Sequence, residues 1–226
     1  MKEQQTICVS KETGICIFLA ILSFFVFFAE CIQALIECKT YGLDVVQFTQ
    51  EQYLMHWKIL IPIWFIISVV VVYLSRKNCH YDVFASYSVP HKWQIICGIA
   101  IPILFVIIWS CFNEGPGFYK FYKNFPFKMF VYQYVYYVFE MLLAGLIICL
   151  SQIAIDNICE KATNIPWGGL ILGLSWGLLH YFTKGSALIA IFSFVIAILF
   201  GVVFNWVGKD LKKAWPLMYL VFVSIG

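Results

Sequence analysis

The sequence is poor in charged residues. Only 12% of its 226 residues are Asp, Glu, Lys or Arg, whereas 62% are hydrophobic. A soluble domain carries about 25% charged residues, because its surface must be solvated. A chain of this length cannot bury so many apolar side chains in one small core, so its exterior is expected to face lipid. The composition therefore predicts an integral membrane protein.

Two further classes of function find no support in the sequence. The nine cysteines include no Cys-x-x-Cys pair, which argues against a zinc-ribbon or redox motif and favours buried thiols. The net charge is only +3, and the basic residues are scattered through short loops. We therefore expect a lipid bilayer as the surroundings of this chain and no nucleic-acid partner.

Long hydrophobic runs are what the chain does contain. About 20 mostly apolar residues are needed to cross a hydrocarbon core of about 30 Å. The sequence has six such runs and a seventh that is cut off by the C-terminus. The alternation of a membrane β-strand is absent, so the fold class is predicted as all-α, a polytopic bundle of six to seven transmembrane helices. The runs are residues 14–36, 57–74, 93–112, 129–155, 166–182, 186–207 and 214–226.

The connections between these runs are short, so no soluble domain is expected. Residues 1–128 are predicted to form three N-terminal transmembrane helices with their loops, and residues 129–226 a transmembrane core of helices 4–7. The last of these helices is interpreted as truncated. The longest loops are predicted at residues 37–56, 75–92 and 113–128.

Ionisable residues inside an apolar run are candidates for function, because each costs roughly 2.5–3.5 kcal/mol to insert into the bilayer. Glu140 lies near the middle of the fourth run and His180 near the end of the fifth. The structural alternatives are a protonated Glu140 bonded to a neighbouring helix and an interfacial His180. Glu30 is interpreted as an interfacial stop of the first run, and Asp156 and Glu160 are expected to be solvated.

Small or polar residues follow one face of each of the last three complete runs. Such faces allow helices to approach closely. They predict a tight bundle with a polar centre that holds Glu140, His180 and Asn205. The three faces comprise Gln133, Tyr137, Glu140, Ala144 and Ser151; Gly169, Gly173, Gly177 and His180; and Ala190, Ser193, Ala197, Gly201 and Asn205.

Three segments in this part of the chain resemble a known family. They are Phe-Glu-Met-Leu-Leu-Ala-Gly at 139–145, Trp-Gly-Leu-Leu-His at 176–180, and Gly201 placed 14 residues before Trp215. From about residue 134 onward the chain is similar to the core of the CAAX-protease and bacteriocin-processing family, also called CPBP or ABI. The family pattern is Glu-Glu-x-x-x-Arg before a Gly, then Phe-x-x-x-His, then His-x-x-x-Asn.

The resemblance implies an intramembrane metal-dependent endopeptidase in the bacterial cell membrane. Glu140 and His180 would be its catalytic residues and would also be metal ligands, for zinc or another divalent metal. Its substrate would be a peptide or a membrane protein. Gly169, Gly173, Gly177 and Gly201 would serve helix packing.

The chain departs from the family pattern in all three motifs, and in the second Trp176 stands in place of the Phe. Either Phe139 or Glu140 stands at the first Glu, and in both alignments one carboxylate and the Arg are missing. The His and Asn of the last motif would fall near Val221 and Ile225. A catalytic zinc normally has three protein ligands, and one Glu with one His supplies two.

Two alternatives therefore stand beside the peptidase. The first is a non-catalytic relative that acts in bacteriocin self-immunity or binds a partner protein. The second is a small transporter in which Glu140 is a proton-linked site.

Overall fold

The structure, a computed structural model, describes residues 10–184 and 186–225. Residues 1–9 of the predicted N-terminal half, residue 185 and the last residue of the seventh run lie outside this part. The described chain is helical and contains no strand, which confirms the predicted all-α membrane bundle. The helices are α1 (Lys11–Tyr41), α2 (Gln50–Asn78), α3 (Lys92–Phe112), α4 (Gly117–Asn124), α5 (Phe127–Ile158), α6 (Trp167–Leu172), a π turn (Gly173–Gly177), α7 (Leu178–Lys184), α8 (Ala187–Trp206) and α9 (Leu211–Ile225).

Within the described residues, five helices are long and apolar enough to cross a membrane: α1, α2, α3, α5 and α8. The other two predicted spans are helical but differ in form. The run at 166–182 folds as α6, the π turn and α7, so it is interrupted in its middle. The run at 214–226 corresponds to α9, whose 15 residues extend about 22 Å.

Capping residues determine where α1 begins and ends and where α2 begins. Ser10 accepts a hydrogen bond from the Thr13 amide at the start of α1, and Gly42 ends that helix in the left-handed conformation with φ 67°. Thr49 and Gln52 form a capping box at the start of α2. Because of these caps, α1 and α2 extend into the predicted loop at 37–56, which shrinks to a short connection.

The central element of the bundle is α5. In the most apolar 18-residue window of α5, 72% of the residues are buried, against 11% in α3. The helix packs against α1 and α2 on one side and against α6 and α9 on the other. Polar side chains on α5 are therefore kept away from lipid, whereas α3 exposes most of its apolar surface.

Glycines bring the α6–π–α7 segment against α8. A Cβ on Gly169 would lie only 2.9 Å from the Cα of Gly201, so the two backbones touch at this point. A Cβ on Gly173 would lie 2.7 Å from the ring of Phe194, and one on Gly177 would lie 2.9 Å from the Phe194 Cα. The glycine stripe predicted for helix packing thus forms the contact surface between these two elements.

The long helices alternate in direction and define two faces of the bundle. We call them the Lys11 face, at which α1 begins and α5 ends, and the Tyr41 face, at which α1 ends. The side chain of Asn157 at the end of α5 donates to Thr13 Oγ1 at 3.4 Å, which places both residues at the Lys11 face. The connection between α2 and α3 meets the α8–α9 turn at this same face, where the amides of Tyr87 and Ser88 donate to Gly208 O.

Candidate functional site

Trp176 links the two residues that the sequence singles out. Glu140 lies in the middle of α5 and is buried, with 6% of its surface exposed. The indole N–H of Trp176 donates to Glu140 Oε1 at 3.2 Å. His180 Nδ1 lies 2.9 Å from the backbone oxygen of Trp176, and the His180 and Trp176 rings pack edge to face with centroids 4.5 Å apart. Glu140 and His180 therefore belong to one group of side chains, assembled around Trp176 between α5 and α7.

The π turn at 173–177 carries Trp176. Two glycines in this turn remove the side chains that would separate it from α8. Ser175 Oγ donates to the backbone oxygens of Ile171 and Leu172, at 2.7 Å and 3.2 Å, which is a common arrangement for a serine within a helix. A π turn inserts an extra residue into a helix and often occurs at functional sites. Here it lies directly before the turn that ends in His180.

Asn205 does not join this group, contrary to the prediction of a common polar centre. Its side-chain amide donates to the backbone oxygens of Asn164 and Ile165, at 3.3 Å and 3.2 Å. The reason is its position along the helix: Asn205 precedes the last residue of α8 at the Lys11 face, whereas His180 lies toward the other face. A row of small and polar residues on one side of a helix indicates which way they face. It does not specify how far each of them lies from either face of the bundle.

A second polar group, which we call the Asp156 cluster, lies at the Lys11 face and consists of Gln152, Asp156, Thr163 and Lys209. Asp156 Oδ1 accepts from Gln152 Nε2 at 3.1 Å and from the amide and hydroxyl of Thr163 at 2.9 Å and 2.8 Å. Asp156 Oδ2 accepts from Lys209 Nζ. The prediction that Asp156 is solvated is therefore wrong, because the chain after α5 folds back over it. Glu160, in the same connection, is exposed as predicted.

The backbone around Gly208 positions Lys209. Gly208 has φ +95°, and a Cβ there would lie 2.8 Å from Ser86 Oγ, so glycine is required at this close approach. Lys209 itself has φ 53° and is buried, with 3% of its surface exposed. A cavity of about 470 Å³ adjoins the cluster, and Tyr87, Asp156 and Lys209 are among the residues that line it. Burial raises the pKa of the Tyr87 hydroxyl, so this side chain remains neutral there.

A third polar group, the His56 cluster, lies toward the Tyr41 face and consists of Glu30, Glu37, His56 and Tyr136. His56 Nδ1 lies 2.6 Å from Glu37 Oε2, and His56 Nε2 lies 3.9 Å from Glu30 Oε1. The hydroxyl of Tyr136 donates to Glu30 Oε1 at 2.7 Å. Three helices, α1, α2 and α5, thus contribute to one group of ionisable side chains. The sequence predicts Glu30 to be an interfacial stop of the first run. In the structure it also contacts His56 and Tyr136.

The His56 cluster is not predicted from the sequence, because Glu37 and His56 fall within the predicted loop at 37–56. The caps at Gly42 and Thr49 are the signal that would have placed both residues in helices. Once they are helical, Glu30 and Glu37 are separated by seven residues and lie on one face of α1.

No family model, curated protein or solved structure matches this chain. Its function is therefore inferred from its residues and their geometry, together with the sequence resemblance described above.

Proposed function

We propose that this membrane protein is an intramembrane endopeptidase of the CAAX-protease and bacteriocin-processing type, with Glu140 and His180 at its active site. The observation that carries the proposal is the arrangement of both residues around Trp176, whose indole N–H contacts Glu140 and whose backbone oxygen contacts His180. The sequence resemblance to this family is also the basis on which we propose the bacterial cell membrane as the location of the protein.

The contact of His180 with a carbonyl supports a defined tautomer. A carbonyl oxygen can only accept a hydrogen bond, so Nδ1 of His180 carries the proton. In the neutral ring the lone pair then lies on Nε2. Through Nε2, His180 would hold and orient the water or the polarised group of the substrate.

Glu140 is proposed as the general base. Its carboxylate would take a proton from a water molecule while the water oxygen bonds to the carbonyl carbon of the scissile peptide. The C–N bond then breaks, and the leaving amine takes the proton from the Glu140 carboxyl group. The Trp176 indole would keep one carboxylate oxygen in place during both transfers, since it donates to Oε1.

The predicted metal is not used in this mechanism, because the donor set does not fit it. Glu140 and His180 supply two ligands, where a catalytic zinc normally has three from the protein. In the part of the chain that is described, no group of three or more His, Cys, Asp or Glu side chains is placed to hold a metal ion.

The proposal is tested with purified protein in nanodiscs and a fluorogenic prenylated peptide of the Cys-aliphatic-aliphatic-X type. General base catalysis contributes about 10²- to 10⁴-fold, so Glu140→Gln is expected to lower kcat by that factor. Glu160→Gln serves as the matched control, because Glu160 is exposed outside the site. Equal kcat values for the wild type and Glu140→Gln, with both proteins folded, would remove Glu140 from the mechanism. Metal analysis of the same preparation tests the zinc prediction.

The second candidate is a non-catalytic relative that acts in self-immunity or binds a partner. It is favoured by the hydrogen bond that already engages Glu140 Oε1 in the bundle interior. In this case a strain that expresses the Glu140→Ala/His180→Ala double variant is expected to survive a bacteriocin as well as one that expresses the wild type. Complete loss of protection, with the variant still folded in the membrane, would count against this candidate.

A further inference from the structure

The His56 cluster takes no part in the proposed hydrolysis. Its members come from α1, α2 and α5, whereas the proposed hydrolytic pair lies on α5 and α7. His56 and Glu37 are both buried, with side-chain exposures of 8% and 9%. Glu30 is less enclosed, with 31% of its side chain exposed.

The charges of this cluster do not balance. Two carboxyl groups face one imidazole, and the described ion pairs of Glu30 and Glu37 are both with His56. The other described hydrogen-bond donors to the two carboxyl groups are neutral: the Tyr136 hydroxyl and the Gln33 amide, which donates to Glu37 Oε1 at 2.8 Å. Cys31, Tyr137 and Glu140 also face members of the cluster, and none of them brings a positive charge. If every group were ionised, the cluster would keep one uncompensated negative charge in the bundle interior. Such a charge is costly, and binding a proton removes it.

The geometry also gives the proton a defined place. Both ring nitrogens of His56 point toward carboxylate oxygens, with Nδ1 in close contact and Nε2 farther away. The short Nδ1 to Oε2 contact holds one proton between two groups that can each carry it. Glu30, which is partly exposed, lies beside the other nitrogen and connects the cluster to its surroundings.

We propose that Glu30, Glu37 and His56 form a proton-binding site, in which the imidazole and the two carboxylates titrate as one coupled unit. Its ligand is the proton, taken from water near the Tyr41 face and returned there. An intramembrane His with acidic partners is also the composition of proton relays in pumps and transporters. The inference is independent of the proposed peptidase activity, since neither Glu140 nor His180 enters it.

Histidine NMR of the full-length protein in nanodiscs tests the proposal. The chain has four histidines, and the signal missing from His56→Gln identifies His56. The wild-type His56 ring is expected to change its protonation state between about pH 5 and 8. In Glu37→Gln and in Glu30→Gln its midpoint should move by about one pH unit or more, because coupled groups share their titration.

Glu51→Gln is the matched control, because Glu51 lies in the first turn of the same helix as His56 and is exposed. This variant should leave the His56 midpoint unchanged. A wild-type His56 that keeps one protonation state over this range would overturn the proposal. A midpoint that is equal in the wild type, Glu30→Gln and Glu37→Gln would overturn it as well. If Glu37→Gln does not fold, the His56 midpoint is measured in Glu30→Gln and in Tyr136→Phe instead. Tyr136→Phe removes a hydrogen bond to Glu30 without removing a charge.

Discussion

The two faces of the bundle hold buried charge in different ways. At the Lys11 face, Asp156 is paired with Lys209, and both carboxylate oxygens accept hydrogen bonds. Toward the Tyr41 face, two carboxyl groups share the single imidazole of His56. The Asp156 cluster is neutral when both charged members are ionised, whereas the His56 cluster is neutral only after it binds a further proton.

This difference separates a structural role from a chemical one. The Asp156 cluster is a clamp that joins α5 to the turn between α8 and α9, because Asp156 pairs with Lys209 of that turn and the two charges balance. An unbalanced group responds to pH. Within one bundle, the ratio of acidic to basic side chains therefore distinguishes the two roles better than burial does, because Asp156 and Lys209 are buried to about the same extent as Glu37 and His56.

The largest expected effect comes from breaking the clamp. Asp156→Ala leaves the buried Lys209 ammonium without its carboxylate, and removing one partner of a buried ion pair costs about 3–5 kcal/mol. The measurement is the midpoint of thermal unfolding in detergent micelles. The control is Asp82→Ala, which removes a half-exposed ion pair with Arg76 and is expected to cost about 0–1 kcal/mol. Equal losses in the two variants would contradict the clamp.

A smaller loss of stability is expected from disturbing the close contact between α6 and α8. In Gly169→Ala the new Cβ would lie 2.7 Å from Ala197 O, a backbone atom, so α6 and α8 must move apart. Overpacking of this kind costs about 1–3 kcal/mol of unfolding free energy. Gly14→Ala is the matched control, because apart from its own stretch of helix no atom lies within 4 Å of its built Cβ. If the two faces are independent, Gly169→Ala also leaves the His56 titration unchanged.

The smallest effect is expected at the edge of the His56 cluster. Tyr136→Phe deletes one hydrogen bond to Glu30 and no charge, so the loss of stability should be about 0.5–1.5 kcal/mol. Tyr122→Phe, at an exposed tyrosine of α4, should have no measurable effect on the unfolding midpoint. A loss above that of Asp156→Ala would reverse the comparison and make the His56 cluster the main structural contact.

The sequence predicts most of the fold but only part of the candidate site. Runs of apolar residues identify the helices, since each must be long enough to cross lipid and must satisfy its own backbone. Glu140 and His180 stand out for the same reason, as polar residues inside such runs. The link through Trp176 could not be predicted, because it depends on a π turn whose extra residue changes which side chains face α5.

The errors at Asp156, Asn205 and His56 have one physical origin. Each side chain lies near the end of a helix. At such a position the sequence pattern alone does not show whether the side chain is exposed to solvent or covered by another part of the protein. Asp156 is covered by the connection that follows it, Asn205 donates to carbonyls of that connection, and His56 contacts Glu30 and Glu37 of α1. All three contacts join residues that are distant in sequence or fold back across a turn.

The sequence by itself determined that this chain is a helical membrane protein, because hydrophobicity and run length decide whether a segment can exist in lipid. It also determined which helix faces could approach closely, because glycine removes the side chain wherever it stands. Only the tertiary structure decided which buried charges meet. Pairing Asp156 with Lys209, and Glu37 with His56, requires helices to pack at a particular rotation and depth, and these are properties of the assembled bundle.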